Sequence, residues 1–189
     1  VAQEVGERLG QREVLLAKMQ GLNVKRILYV AHDHLSVSHG VLKSADPATD
    51  VVVLVESARM TTGRPWHKER LFFLLSSARH FAADLKQRGF TVSYINAPTT
   101  IDGLILARQE FGDLPVVCAE PSSHKQLELL RDFGVQFVEN DLFLTTRKLF
   151  MLWPESQKTF VMENFYRAQR HRLQTLAAHP NARARYHLY

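Results

Sequence analysis

The chain has 189 residues, of which 46% are hydrophobic and 23% charged, with a formal net charge of +5. This length and composition are those of one globular domain with appendages, so they exclude disorder as the main state and argue against a two-domain enzyme. The single cysteine, Cys118, excludes an intrachain disulfide and cannot by itself hold a structural zinc ion or an iron–sulfur cluster. With no apolar run of about 20 residues and no signal peptide, a soluble, cytoplasmic protein is predicted.

Hydrophobic patterning predicts an alternation of helices and strands. Apolar residues at roughly helical spacing predict a first helix at residues 3–20, ahead of the main domain. Apolar runs rich in β-branched and aromatic residues predict five strands, at residues 25–31, 50–56, 90–95, 115–119 and 135–139. Helical spacing, with Gly89 and Gly134 as stops, predicts crossover helices, at residues 66–88, 101–111 and 122–133. Two more helices are predicted after the sheet, at residues 145–153 and 159–178.

This alternation predicts the fold class. Near-continuous apolar runs such as VVVLV are typical of strands that are buried on both faces of a parallel sheet. Right-handed crossovers then give an α/β fold, a Rossmann-like doubly wound sheet of about five mainly parallel strands with helices on both faces. The predicted organisation is an N-terminal helical extension at residues 1–22, the α/β domain at 23–141 and a C-terminal helical segment at 142–189.

The usual phosphate-binding motifs are absent from the sequence. No GxGxxG follows the first strand and no GxxxxGK[ST] occurs, which argues against dehydrogenases and P-loop proteins. The first strand is followed instead by HDHLS. Its residues His32, Asp33 and His34 are interpreted as polar strand ends of a ligand pocket rather than as a metal site, because a metal needs three or four converging ligands. No serine lies in a GxSxG elbow, so no catalytic residue is predicted.

Two acidic residues end predicted strands. Glu56 and Glu120 each either cap the following loop or accept a hydrogen bond from a bound heterocycle, and both alternatives stay open. Ligands bind at the carboxyl ends of strands in such sheets, so a shared pocket is favoured. His67, Lys68 and Arg70 lie at the start of the long helix, where cations oppose the helix dipole. They suggest an outside partner such as Glu56 or an anion, and the more common alternative is that these charges are only solvated. In the last helix, MENFYRAQRHR, docking on another part of the protein is favoured over contact with nucleic acid.

Several segments together resemble one family. They are HDHLS, VVVLVES, HKERLFFLLSSARHFAADLKQRGFTVSY, AEP, DLFLTTRKLF and MENFYRAQRHR. In this order, from about residue 25 to residue 176, they look like the N-terminal region of the photolyase-related proteins of bacteria, which comprise the iron–sulfur bacterial cryptochromes and the pyrimidine-pyrimidone photolyases.

The resemblance implies a flavoprotein that uses blue light to repair DNA lesions or to signal. In that family the α/β domain carries an antenna chromophore, a ribityl-lumazine, while FAD, a four-cysteine iron–sulfur cluster and most of the DNA-binding surface belong to a long helical region that follows. Residues 142–189 are accordingly expected to lead toward such a region, which this chain lacks. The chain alone is expected not to be catalytic, and the implied partners are that helical domain and, for the full-length protein, DNA.

Carried over position by position, the resemblance implies a set of antenna-binding residues, namely Asp33, Leu35, Glu56, Lys68 and Glu120. The expectation is that the three carboxylates of this set meet in one cavity. The chain departs from the family at His32 and His34, which replace glycine and glutamine, and at Met60, which replaces a glutamate. The alternative is a free-standing nucleotide-binding or interaction module without light chemistry. Whether the chain is a fragment, since it begins with Val1, or a complete protein also stays open.

Overall fold

A computed structural model describes residues 24–63, 65–153 and 161–173. The chain divides into two compact units, Val1–Leu142 and Phe143–Tyr189, and each is described by itself. The predicted helix at residues 3–20 and the end of the helix predicted at 159–178 lie outside the described residues. The three domain boundaries inferred from the sequence stay predictions.

The first unit alternates strands with helices, as the sequence predicted. Its elements are β1 (Arg26–Tyr29), a 3-10 helix (Gly40–Ser44), β2 (Asp50–Ser57), α1 (Ala58–Thr62), α2 (Lys68–Gln87), β3 (Thr91–Ala97), α3 (Thr100–Phe111), β4 (Val116–Ala119), α4 (His124–Asp132) and β5 (Gln136–Val138). The 3-10 helix and α1 were not predicted. Gly89 and Gly134 follow α2 and α4 with φ angles of 90° and 84°, so the left-handed backbone that ends these helices suits the glycines that predicted the stops.

The five strands form one parallel sheet in the order β3-β2-β1-β4-β5. β1 is the central strand, and its Ile27 pairs with Val51 of β2 on one side and with Val116 of β4 on the other. The chain therefore adds β2 and β3 on one side of β1 and then β4 and β5 on the other side. This confirms the predicted Rossmann-like α/β fold, and the reversal between β1 and β4 marks the place where such sheets bind ligands, outside the carboxyl ends of the strands.

Alternation along the strands separates two hydrophobic cores. Tyr29 and Val53 point to one face, where Leu104 of α3 and Leu130 of α4 complete the first core. Leu28, Val52 and Leu54 point to the other face, where they pack against three α2 residues, namely Ala78, Ala82 and Leu85. On β1 and β2, odd-numbered residues such as Tyr29 and Val53 therefore face the first core, and even-numbered residues such as Leu28 and Leu54 face the second.

The second unit contains two described helices, α5 (Arg147–Leu152) and α6 (Met162–Arg172). Phe165 of α6 makes edge-to-face contacts with Phe150 and Trp153, at ring-centroid distances of 5.3 and 5.2 Å. Thr145 also donates a hydrogen bond of 2.8 Å to Gln169 of α6. Across both units, no helix within the described ranges is long and apolar enough to cross a membrane.

Candidate functional site

A large open pocket lies at the carboxyl edge of the sheet, in the first unit. Its volume is about 1100 Å³, which is enough for a cofactor-sized ligand. The lining residues come from the segments that follow four strands, with Asp33 after β1, Met60 after β2, Thr100 after β3 and Ser123 after β4. The pocket thus spans the switch point between β1 and β4, where the strand order predicts a ligand site.

Local hydrogen bonds hold the rim of this pocket in place. Ser57 caps α1 by accepting a 3.2 Å bond from the Met60 N–H. At the start of α3, Thr99 and Asp102 form a capping box, in which the Thr99 side chain accepts from the Asp102 N–H and the Asp102 carboxylate accepts from the Thr99 N–H. The N–H of Arg59 donates to the carbonyl of Pro98 at 3.0 Å and so joins α1 to the loop before α3. These hydrogen bonds therefore connect the end of β2, α1 and the start of α3 at the rim.

An aromatic residue forms one wall of the pocket. The indole Nε1 of Trp66 donates a 2.7 Å hydrogen bond to the Met60 carbonyl, which fixes the ring between α1 and α2. The Arg70 guanidinium lies 4.9 Å from the centroid of this ring, in cation–π geometry. Leu74 and Val55 add apolar surface to the lining. The wall combines a fixed aromatic ring with positive charge, which suits stacking of a flat heterocycle.

Two titratable residues of the lining stay uncharged near neutral pH. Burial lowers the pKa of His32, although Glu56 and Asp33 oppose the shift, and the imidazole is therefore neutral. Its Nε2 is shielded from solvent and has no hydrogen-bond partner in the described structure. Burial also raises the pKa of Tyr29 well above its ordinary value, so its phenol keeps its proton. Of the two, His32 can serve a ligand as a neutral hydrogen-bonding partner, whereas the Tyr29 side chain is buried in the first core.

Of the three carboxylates expected to meet in one cavity, only Asp33 is among the described residues that line this pocket. Its side chain is 65% exposed. Glu56 is out of phase with Tyr29 and Val53, so it faces α2 on the other side of the sheet. The Glu120 carbonyl accepts a 3.0 Å bond from Asn140 Nδ2, and Glu120 does not line the pocket. The three acids therefore do not meet in this pocket. Alternation along β2 turns Glu56 to the other face, whereas Glu120 stays outside the lining although it is in phase with Val116 and Cys118 of the pocket-side core.

Glu56 instead joins β2 to α2 and β3. Its carboxylate accepts from Arg79 Nη2 at 2.8 and 3.0 Å, from Arg79 Nε at 3.1 Å and from the Tyr94 hydroxyl at 2.8 Å. Burial acts to raise the pKa of Glu56, but the hydrogen bonds from Arg79 and Tyr94 outweigh it, and the pKa lies below its ordinary value. The arrangement is that of a structural clamp between three elements.

The other predicted site residues have varied surroundings. Leu35 packs against the core on the α2 face of the sheet. Lys68 is the exposed first residue of α2, and it does not line the pocket, although its neighbours Trp66 and Arg70 do. The assignment of Asp33, Leu35, Glu56, Lys68 and Glu120 to a bound cofactor stays a prediction.

Sequence reasoning gave no ligand role to Trp66 or Arg59. Trp66 stood out only as a residue near the start of a long helix, whereas Arg70 was named among the cations there for which Glu56 or an anion was a suggested partner. Arg59 was missed because α1, with five residues, is too short to produce a periodic pattern. The signal that could have found it is its place directly after a strand, at the carboxyl edge of the sheet where ligands bind.

The fold and the pocket together define a Rossmann-like α/β domain with a ligand site at the switch point of its sheet. Residues 28–182 match the family model described as deoxyribodipyrimidine photo-lyase-related protein, and the chain belongs to that family. It is also 26% identical over 159 residues to a protein named (6-4) photolyase from Agrobacterium fabrum (strain C58 / ATCC 33970). That match covers 78% of this chain but 31% of the relative, so the chain spans about a third of the relative's length. The resemblance stated from the sequence is confirmed.

Proposed function

We propose that this chain is the antenna-type α/β domain of a photolyase-related protein that acts with flavin and light in DNA repair or light signalling. Membership of the photolyase-related family supports the proposal. The observation that carries it is the pocket of about 1100 Å³ at the switch point, one wall of which is the fixed ring of Trp66. A conjugated heterocycle needs such a flat apolar wall together with a few polar partners.

The chemistry of the lining fits a ribityl-lumazine type of chromophore. Trp66 would stack on the ring, while His32, whose Nε2 has no described partner, would supply a neutral hydrogen-bonding edge. Asp33 and Thr100 would accept or donate hydrogen bonds to hydroxyl groups of the ribityl chain. When bound, the chromophore would supply absorption in the near-ultraviolet to violet and pass the excitation to a flavin. The chain's own residues hold and orient the ring and shield one side of it from water.

The remaining cofactors belong to the whole protein in this proposal. A four-cysteine iron–sulfur cluster needs more thiolates than the single cysteine here, and the (6-4) photolyase relative is about three times as long as the matched region. We therefore propose that FAD and the cluster are held outside this chain by a helical domain that is its main partner, and that DNA is contacted through the full-length protein.

Binding of ribityl-lumazine tests the proposal. The purified chain is titrated with ribityl-lumazine, and fluorescence of the ligand and its absorption spectrum are followed. Saturable binding is expected, and Trp66→Ala should weaken it about tenfold or more, because a base-to-aromatic stack contributes roughly 1–3 kcal/mol. Trp153→Ala is the matched control, since Trp153 belongs to the second unit and does not line the pocket. Absence of saturable binding would refute the antenna proposal, and binding of adenine nucleotides instead would favour the nucleotide-binding module.

A further inference from the structure

One face of α2 carries a strip of unburied residues along the whole length of the helix. Its six residues recur at alternating intervals of three and four, which places them side by side on the helix surface, namely Glu69, Phe72, Ser76, Arg79, Ala83 and Lys86. None of the six is buried, whereas the residues of α2 that pack on the sheet belong to another side of the helix. We refer to these six residues as the α2 strip.

The aromatic residues at the start of this strip are highly exposed. Phe72 is 74% exposed, and Phe73 beside it is 68% exposed. A fully covered phenylalanine buries about 150–250 Å², so at these exposed fractions the two rings leave roughly 200–350 Å² of apolar surface in contact with water on each chain. Adjacent aromatic rings exposed to this degree are typical of a contact surface rather than of a solvated helix face.

The order of residues along the α2 strip is complementary to itself. When two copies of α2 lie antiparallel about a twofold axis through the midpoint of the strip, each residue faces the one equally far from the axis on the second copy. Glu69 then faces Lys86 of the second copy, which places an acid opposite a base at both ends of the pair. Phe72 faces Ala83 of the second copy, so each ring lies over a small residue. Both charge and side-chain size therefore favour the antiparallel arrangement.

The residues at the midpoint are compatible with this pairing. Ser76 faces Arg79 of the second copy, and the small serine leaves room for the longer side chain. The charge of Arg79 is balanced within its own chain, because its Nη2 and Nε donate to the Glu56 carboxylate at 2.8–3.1 Å. The two arginines that approach each other near the axis are therefore each neutralised by a carboxylate.

We infer that the chain forms a homodimer in which the α2 strips of two copies pair antiparallel. A second copy is chosen as the partner because charges and side-chain sizes match about a single midpoint, and only a self-associating face requires that symmetry. The four rings of such a dimer bury roughly 400–700 Å², which is well below the area of about 1,200 Å² at which stable interfaces begin. A weak dimer is therefore expected, with a dissociation constant on the order of 10–100 µM. The pairing needs no ligand in the pocket, so it does not depend on the proposed function.

Sedimentation equilibrium of the purified chain at about 5 to about 500 µM tests this dimer. Phe72→Ala should raise the dissociation constant about tenfold or more, because it removes two rings from each symmetric dimer. Ile105→Ala is the matched control, since Ile105 is an apolar residue of α3 that is 41% exposed and lies outside the strip. It should leave the dissociation constant unchanged. Circular dichroism checks that both variants keep the native fold, as expected for exposed positions.

Charge reversal tests the antiparallel register. Glu69 and Lys86 lie about 25 Å apart along the axis of α2, so they cannot pair within one chain. Glu69→Lys and Lys86→Glu should each weaken dimerisation about tenfold, because two attractive pairs in each dimer become repulsive. Both substitutions in one chain should restore the native dissociation constant, since the pairs are then re-formed with their signs exchanged. A mixture of the two single variants should likewise associate more tightly than either variant alone.

The contrary outcomes are equally specific. A chain that stays monomeric up to about 500 µM overturns the inference, since the exposed rings then have a different partner or none. A dimer that tolerates Phe72→Ala, or that neither charge reversal weakens, uses another surface and overturns it as well. Failure of the combined reversal to restore association contradicts the antiparallel register. Binding of ribityl-lumazine is measured separately, so dimerisation and the antenna proposal can each fail without the other.

Discussion

Replacing Glu56 by glutamine should destabilise the first unit through the clamp between β2, α2 and β3. The substitution keeps the size of the side chain and removes the charge that attracts Arg79 and the Tyr94 hydroxyl. Hydrogen bonds to a charged group contribute roughly 1.5–3 kcal/mol, but the Arg79 side chain is 61% exposed and its share is screened by water. The expected loss in free energy of unfolding is therefore about 1–2 kcal/mol at pH 7.

The effect should depend on pH in a defined direction. The folded-state pKa of Glu56 is lowered, so the ionised carboxylate stabilises the folded protein at every pH above the unfolded-state pKa of about 4.3. This contribution is lost as the pH falls through the folded-state pKa. The difference in unfolding free energy between the native chain and Glu56→Gln should thus be constant from pH 7 to about pH 5.5 and should shrink below about pH 4.

Urea unfolding, followed by circular dichroism at several pH values, measures this difference. Glu69→Gln is the control, because its side chain is 80% exposed on the first turn of the same helix, α2, and its loss should cost less than about 0.5 kcal/mol. The reasoning is refuted if Glu56→Gln behaves like Glu69→Gln, or if the difference fails to shrink in acid. Ribityl-lumazine binding by Glu56→Gln completes the test, since loss of binding at unchanged stability would support the ligand role that the sequence predicted for this residue.

Three further predictions concern the interior of the first unit. Asp50→Asn should lower the free energy of unfolding by about 3 kcal/mol, because the buried carboxylate accepts from Arg26 at 2.8 and 2.9 Å, and Arg26→Gln, which leaves that carboxylate buried without its cation, should cost at least as much. Gly103→Ala should cost about 1–3 kcal/mol, because an added Cβ would clash with both methyl groups of Val55, and Val55→Ala should recover part of that loss in a urea double-mutant cycle. Burial raises the pKa of the Cys118 thiol to about 12, so Ellman's reagent at pH 8 should label it only after unfolding.

For each of these three predictions, one experimental result would contradict it. An Asp50→Asn variant as stable as the native chain would show that the pair with Arg26 contributes nothing net to folding. Additive effects of Gly103→Ala and Val55→Ala would contradict the predicted clash between them. Rapid labelling of Cys118 in the native chain at pH 8 would contradict its burial.

The sequence was sufficient to predict the sheet because a parallel strand that is buried on both faces is a nearly continuous run of hydrophobic residues. β2 reads DVVVLVES and is buried almost throughout, and a run of this kind has few other structural explanations. Glycine after α2 likewise fixed its end, since the positive φ of Gly89 is a local backbone requirement. These features depend on neighbours in the chain, and that is why they could be predicted.

The site was harder to predict because it depends on which face of the sheet each strand-end side chain points to and on contacts between residues far apart in the sequence. Glu56 was correctly placed at a strand end, but the register that puts it in phase with Leu54 rather than with Val53 sends it to Arg79 and away from the cavity. The clamp with Tyr94 joins residues 38 positions apart, and no local pattern encodes it. Trp66 acquires its orientation from the Met60 carbonyl of a short helix that the periodicity did not reveal.

The position of β1 in the middle of the sheet has a consequence for synthesis on the ribosome. Its Ile27 pairs with Val116, and the Asp141 carboxylate accepts from the Gly40 N–H at 2.6 Å, across 101 positions. A nascent chain released as far as β3 can assemble the β1-β2-β3 half, yet one edge of β1 stays unpaired until β4 emerges. The hydrogen bond between Gly40 and Asp141 cannot form before residue 141 has left the exit tunnel. The ligand pocket is also completed late in translation, because part of its lining, from Ser123 to Asp132, follows β4.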